Sequence, residues 1–199
     1  MSVDDSVFDQ LFAGNDDPWA MHQRWYEQRK RALLAACLPR ARYASVFEPG
    51  CANGATSQVL AARCDRLLCC DTAARAVALT RQQLADAPHA RVEQWRLPAQ
   101  WPAQRFDLIV LNELCYYLDP ADLAQLIRAC RHSLTADGQL LACHWRAPID
   151  GCSLDGDGVH RQLDEGLGMT ALLEHREKDF VLQLWSRDPL SVAEHEGLR

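Results

Sequence analysis

Val46-Phe47-Glu48-Pro49-Gly50-Cys51-Ala52-Asn53-Gly54 reads as a strand that ends beside an acidic residue, turns through glycine and opens a helix. Valine and phenylalanine suit a pleated, buried surface. Gly50 permits a positive φ or a close ligand approach, and Gly54 permits close packing of the following helix. In doubly wound α/β sheets, ligands bind outside the carboxyl ends of the strands, near the first strand. The stretch therefore places both a fold and a crevice.

The flanking sequence repeats the strand–helix alternation. A strand is expected over 44–49 and a helix from the turn to about Arg63, followed by a strand over 66–71 (RLLCCD) and a helix over 72–86. Strands follow at 90–95, 106–112 and 139–145, with a helix over 119–134 capped by Asp119. FDLIVLN (106–112) is nearly all apolar, as a strand covered on both faces should be. Residues 155–168 read as a loop and short helix, and 169–177 with 179–186 as a closing hairpin. Upstream, 19–37 reads as one amphipathic helix started by Pro18, and 1–18 as a mobile lead-in to a single domain over 19–199. Repeated β–α units predict an α/β fold with a doubly wound parallel sheet, to which the hairpin adds an antiparallel strand.

Composition narrows the function classes. The chain has 199 residues, with 48% hydrophobic and 24% charged, which argues against disorder and fibrous classes. A net charge of −6 disfavours non-specific nucleic-acid binding. No apolar run reaches the roughly 18 residues of a membrane span. The acidic start, MSVDDSVFDQ, is unlike a targeting peptide. The nine cysteines are odd in number and form no CxxC, so a reduced, cytoplasmic protein without a metal site is expected.

The elbow also selects a ligand. A dinucleotide's pyrophosphate needs bare backbone at the middle glycine of GxGxxG. Ala52 stands there, and the Glu48 charge would oppose phosphates. An ammonium-and-carboxylate ligand fits better, with the acid facing the amine and helix N–H groups facing the carboxylate. S-adenosylmethionine has these groups, and Asp71, 17 residues past Gly54, stands where an acid can hold two ribose hydroxyls. Glu48, Gly50, Gly54 and Asp71 resemble the glycine motif of class I S-adenosylmethionine-dependent methyltransferases, with Ala52 as a departure. Asp17-Pro18-Trp19, Trp25-Tyr26-Glu27-x-Arg29-Lys30, Phe47 to Cys51, Tyr116-Tyr117-Leu118 and His144-Trp145-Arg146 narrow the resemblance to NodS-like N-methyltransferases, from about residue 16 to 187.

That resemblance implies a Rossmann-like seven-stranded sheet of order 3-2-1-4-5-7-6, strand 7 antiparallel, with an N-terminal helical cap. S-adenosylmethionine would be the cofactor and S-adenosylhomocysteine the product. The acceptor would be a small polar molecule, with an amine favoured, and the protein a monomer or weak homodimer. Trp19, Tyr26, Arg29 and Lys30 would close over the cofactor; alternatively Tyr26 is core and the two cations a solvated face. Cys51 and Thr72 flank the cofactor crevice, the backbone of Arg96 and Leu97 would read the adenine edge, and Asn112 would meet the methionine part. Glu113 or His144 would accept a proton from the acceptor. Tyr116, Tyr117, Trp145, Arg146 and His160 would line the acceptor pocket, although each aromatic or histidine also has a packing role open to it. An NAD-dependent oxidoreductase and a non-catalytic cofactor-binding module are the competing functions.

Overall fold

The computed structural model describes residues 1–199. Seven strands form one sheet in the order β3-β2-β1-β4-β5-β7-β6. They are β1 (Val46–Pro49), β2 (Leu67–Asp71), β3 (Ala90–Gln94), β4 (Phe106–Asn112), β5 (Leu134–Trp145), β6 (Thr170–Arg176) and β7 (Phe180–Ser186). The first five pair in parallel, and β7 runs antiparallel to both β5 and β6. This is the expected order and the expected odd strand.

Alternation along the strands splits the core into two layers. Val46, Leu67, Cys69, Leu108, Val110, Leu141 and Cys143 pack with Leu34, Leu60 and Val77. Those three lie on α2 (Trp25–Ala36), α3 (Ala55–Ala61) and α4 (Ala74–Gln83). Phe47, Leu68, Cys70, Ile109, Leu111, Leu140 and Ala142 pack on the other face with Leu123, Ile127, Val159 and Leu163. Those come from α5 (Pro120–Ser133) and α6 (Gly156–Leu167). All nine cysteines are free thiols and seven are buried, where they act as small apolar side chains. No helix is long and apolar enough to cross a membrane.

The N-terminus departs from expectation twice. Residues 1–18, expected as a lead-in, contain a helix: α1 (Asp5–Gly14) forms behind Asp4, whose carboxylate accepts the Ser6 N–H at 2.9 Å. Phe8 and Phe12, one helical turn apart, turn to the body, and Phe12 packs on Ala73 and Ala76 with only 3% of its surface exposed. The helix expected from residue 19 starts only at Trp25. Asp17 causes the delay, because its carboxylate takes the N–H groups of Met21 at 2.7 Å and His22 at 3.1 Å, holding a turn there. The strand expected at 139–145 also begins earlier, at Leu134, and takes in the turn expected at 136–138.

Removing the Phe12 ring should take away about 3 kcal/mol of packing. Phe12→Ala is therefore expected to speed amide hydrogen exchange in α1 while β1 and β4 keep their protection. Equal exchange in α1 of both proteins would show that this ring does not hold the helix.

Candidate active site

The carboxyl ends of β1, β2, β3 and β4 open into a cavity of about 680 Å³, roofed by α1 and α2. Its floor is the elbow. The Gly50 and Cys51 N–H groups donate to the Cys70 carbonyl at 2.7 and 3.0 Å. One oxygen of Asp71 accepts the Ala52 N–H at 2.9 Å and the other accepts the Ala73 N–H at 3.0 Å. Asp71 thus ties the turn after β1 to the turn after β2. Burial raises its pKa, and the backbone donors oppose that rise. Each of its oxygens keeps a second lone pair for a ligand. Gly50, Ala52 and Gly54 hold φ of 75°, 49° and 84°.

Glu48 is buried beside the floor, accepting from the Ser57 hydroxyl and from the Cys69 thiol at 3.4 Å. Burial pushes its carboxyl up to about 7. Asn112 donates to Thr56 Oγ1 at 3.3 Å, while its buried Oδ1 has no partner in the protein.

At the other end, Lys30 is 4% exposed and pairs with Glu113 at 2.5 Å and Glu27 at 3.1 Å. Burial works against its charge, but the two carboxylates outweigh it and hold the ammonium above its usual range. Glu113 also accepts the Tyr116 hydroxyl and the Trp145 N–H, and its own φ is 53°. Tyr26 packs edge-on against Trp145 with ring centres 5.8 Å apart.

The family profile of Nodulation protein S (NodS) matches residues 6–154. The chain belongs to the NodS family. It is 35% identical over 127 residues to Nodulation protein S of Sinorhizobium fredii NGR234, a match covering 61% of this chain and 55% of that protein. Against the protein of the same description from Bradyrhizobium diazoefficiens it is 32% identical over 128 residues, covering 63% of this chain and 61% of the relative. The matches thus span little more than half the length of these curated relatives. Among solved structures, the N-methyltransferase NodS of Bradyrhizobium japonicum WM9 in complex with S-adenosyl-L-homocysteine superposes with a TM-score of 0.80. It shares 26% identity and covers 91% of this chain and 96% of that one. A provisionally named methyltransferase from Pseudomonas syringae is 60% identical with a TM-score of 0.74, covering 82% and 99%. The fold is the class I methyltransferase fold.

Within this family fold, most of the residues singled out from sequence meet in one place. Trp19, Tyr26, Lys30, Glu48, Gly50, Cys51, Asp71, Thr72, Arg96, Leu97 and Asn112 line the cavity, as do Glu113, Tyr117 and Trp145. Six others do not. Gly54 packs on α4, where a Cβ would lie 3.0 Å from the Thr80 backbone. Arg29 grips Glu177 in the β6–β7 turn through two bonds of 2.7 and 2.8 Å. Arg146 pairs with Asp157 on α6 at 2.8 Å. Tyr116 is buried, its hydroxyl turned to Glu113. The last two are His144 and His160.

Those histidines form a one-way chain inside the core. The Cys115 N–H donates to His144 Nε2 at 3.2 Å, so the His144 proton sits on Nδ1 and is given to His160 Nε2 at 3.1 Å. His160 Nδ1–H in turn donates to Gln183 Oε1 at 2.9 Å. Both rings are thereby neutral, and neither reaches the cavity to accept an acceptor's proton. Glu113 is no free base either, with three donors already on its carboxylate. The Arg96 backbone, expected at the adenine edge, is engaged within its own loop: its N–H donates to Gln100 Oε1 at 2.7 Å and its carbonyl accepts the Gln100 N–H at 2.8 Å. Its guanidinium instead meets Asp5 of α1 at 3.0 Å.

Among the lining residues to which the sequence assigned no role are Val3, Asp5 and Phe8 from the N-terminus, together with Glu27, Trp95 and Asp179. The Asp4 cap followed by Phe8, Leu11 and Phe12 at helical spacing was the available signal for α1.

Burial depresses both imidazoles, with His144 well below its usual range and His160 at about 4. At these two histidines the unfolded chain binds more protons than the folded one between about 4 and 6.5, so their contribution to stability rises with pH across that window, while Glu48, raised to about 7, contributes in the opposite sense from about 4.5 upward. The histidines' share of the melting temperature should be complete above pH 6.5 and fall steadily toward pH 4. His160→Gln should flatten that slope in calorimetric scans at pH 7 and 5. A slope unchanged from wild type would place the titration elsewhere.

Proposed function

We propose that this protein transfers a methyl group from S-adenosylmethionine to an amine on a small polar acceptor. The observation that carries the reading is the carboxylate-lined elbow: Glu48 and Asp71 flank Gly50 at the ends of adjacent strands, open to one shared cavity. The NodS relative was solved with S-adenosyl-L-homocysteine and is described as an N-methyltransferase, which supports both the cofactor and the amine.

The residues present fit that cofactor. The orphaned Asn112 Oδ1 and the Glu48 carboxyl are acceptors suited to an ammonium group. Asp71 retains lone pairs suited to a pair of ribose hydroxyls. Leu97 and Trp95 offer apolar surface for a purine ring. Ala52 keeps a side chain where a pyrophosphate would need bare backbone, which tells against a dinucleotide.

When bound, S-adenosylmethionine supplies a methyl group on a sulfonium, an already activated leaving group. The chain's task is then alignment and the exclusion of water, and alignment alone contributes up to ~7–11 kcal/mol. Exclusion falls to the roof. Phe8 packs on Tyr117 with ring centres 5.0 Å apart, Ser2 donates to Asp122 at 2.5 Å, and Trp19 packs on Phe12. Glu113 serves alignment, because its three donors tie α2, the Cys115–Tyr117 turn and the end of β5 to one point.

Asp71→Asn keeps one backbone tie but loses the charge that strengthens hydrogen bonds to hydroxyls. Calorimetry should show S-adenosylhomocysteine binding weakened at least tenfold, with the melting temperature lowered by several degrees for the lost tie. Wild-type affinity in this variant, or no binding by the wild type, would reject the assignment.

A further inference from the structure

We infer that Glu27 is the docking point for the acceptor's amino group, an inference that rests on the methyl-transfer reading above. The end of the cavity away from the elbow is built from Tyr26, Glu27, Lys30, Glu113, Trp145 and Asp179. Three of these are carboxylates, and their states differ. Glu113 carries three donors, Lys30 on Oε1 and the Tyr116 hydroxyl and Trp145 N–H on Oε2, so each of its oxygens is engaged. Asp179 is exposed. Glu27 is held inside, its side chain 12% exposed, and only its Oε1 is engaged, by Lys30 at 3.1 Å. Its Oε2 has no hydrogen-bond partner in the protein, and the residue lines the cavity.

Charge points the same way. Glu27, Lys30 and Glu113 together carry −1, because one ammonium faces two carboxylates. Of the cations around it, Arg24 lines the cavity but is exposed, while Arg29 pairs with Glu177 and Arg31 donates to the Met21 carbonyl at 2.6 Å, and neither of these two lines the cavity. The edge-on pair of Tyr26 and Trp145 supplies aromatic surface beside this trio, with Lys30 Nζ 5.1 Å from the Tyr26 ring centre. A net-negative pocket with aromatic walls takes an amine in preference to an anionic or neutral acceptor.

The docking is compatible with the chemistry. An ammonium drawn into the pocket first gives one proton to bulk buffer; the neutral primary amine left has two N–H donors and one lone pair, so one N–H goes to Glu27 while the lone pair stays free. That pair forms the new C–N bond, and the C–S bond breaks with its electrons passing to sulfur. The methylated ammonium then releases its extra proton to bulk buffer. Glu27 orients the nitrogen and is not required to hold the proton, so no further reactant is needed.

The test compares wild type, Glu27→Gln and Glu27→Asp for homocysteine release with D-glucosamine, ethanolamine and benzylamine. Calorimetry of S-adenosylhomocysteine binding is run on all three proteins. The expected result is a KM for the amine raised tenfold or more in Glu27→Gln, kcat changed less than threefold and partial recovery in Glu27→Asp. Cofactor affinity should stay within threefold. Unchanged KM in Glu27→Gln overturns the docking role alone. A tenfold loss of S-adenosylhomocysteine affinity also overturns it, because Glu27 would then serve the cofactor. Wild-type protein that binds the cofactor but turns over no amine overturns the amine reading, and docking with it.

Discussion

Asp71 sits at the end of β2 and accepts one backbone N–H from each of two turns, at Ala52 and at Ala73. The geometry of the cavity floor follows from that bridge. The turn between β1 and α3 passes through three left-handed residues, one of them Ala52, whose side chain makes that conformation cost about 1–2 kcal/mol. The Cys70 carbonyl and the Asp71 carboxylate together hold that strained path in place. Gly54 closes the path against α4, where the Thr80 backbone leaves no room for a Cβ. Sheet, elbow and α4 are thus one unit, and it presents carboxylates to the cavity.

The roof rests on a different constraint, a buried ion pair. Taking Lys30 and Glu113 out of water is costly unless each is fully hydrogen-bonded. Glu113 meets that condition with three donors, and it reaches them from a left-handed backbone at the end of β4. The pair fixes α2 over the sheet and consumes the one carboxylate that the strand order alone would nominate as a base. Arg29 and Arg146 continue the same tethering on the outside, toward Glu177 and Asp157. Residues that look catalytic by position are here the ties that hold the walls.

The alternation of apolar strands and helices was enough to place all seven strands, because each strand needs one or two buried faces and the pattern records that need. Asp71 was legible for a similar reason: an acid at the end of the second strand is held at a fixed spacing from the elbow. His144 and His160 were misread. A histidine at a strand's carboxyl end looks the same in sequence whether it faces the cavity or the neighbouring helix. The register of β5 against β7 sent His144 inward, and Gln183 was waiting as the chain's terminal acceptor.

The resemblance its motifs carry gives the strand order and the family; from its residues alone, this chain settles an α/β sheet and an acidic elbow. These are properties of local spacing and of periodic burial. Tertiary structure alone decided that the first eighteen residues roof the cavity, since α1 is too short to be stable without the Ala73–Ala76 surface it covers. It also decided which carboxylates are free. Whether an acid is paired depends on partners 83 residues away in the chain, as Lys30 is from Glu113, and no local pattern encodes that distance.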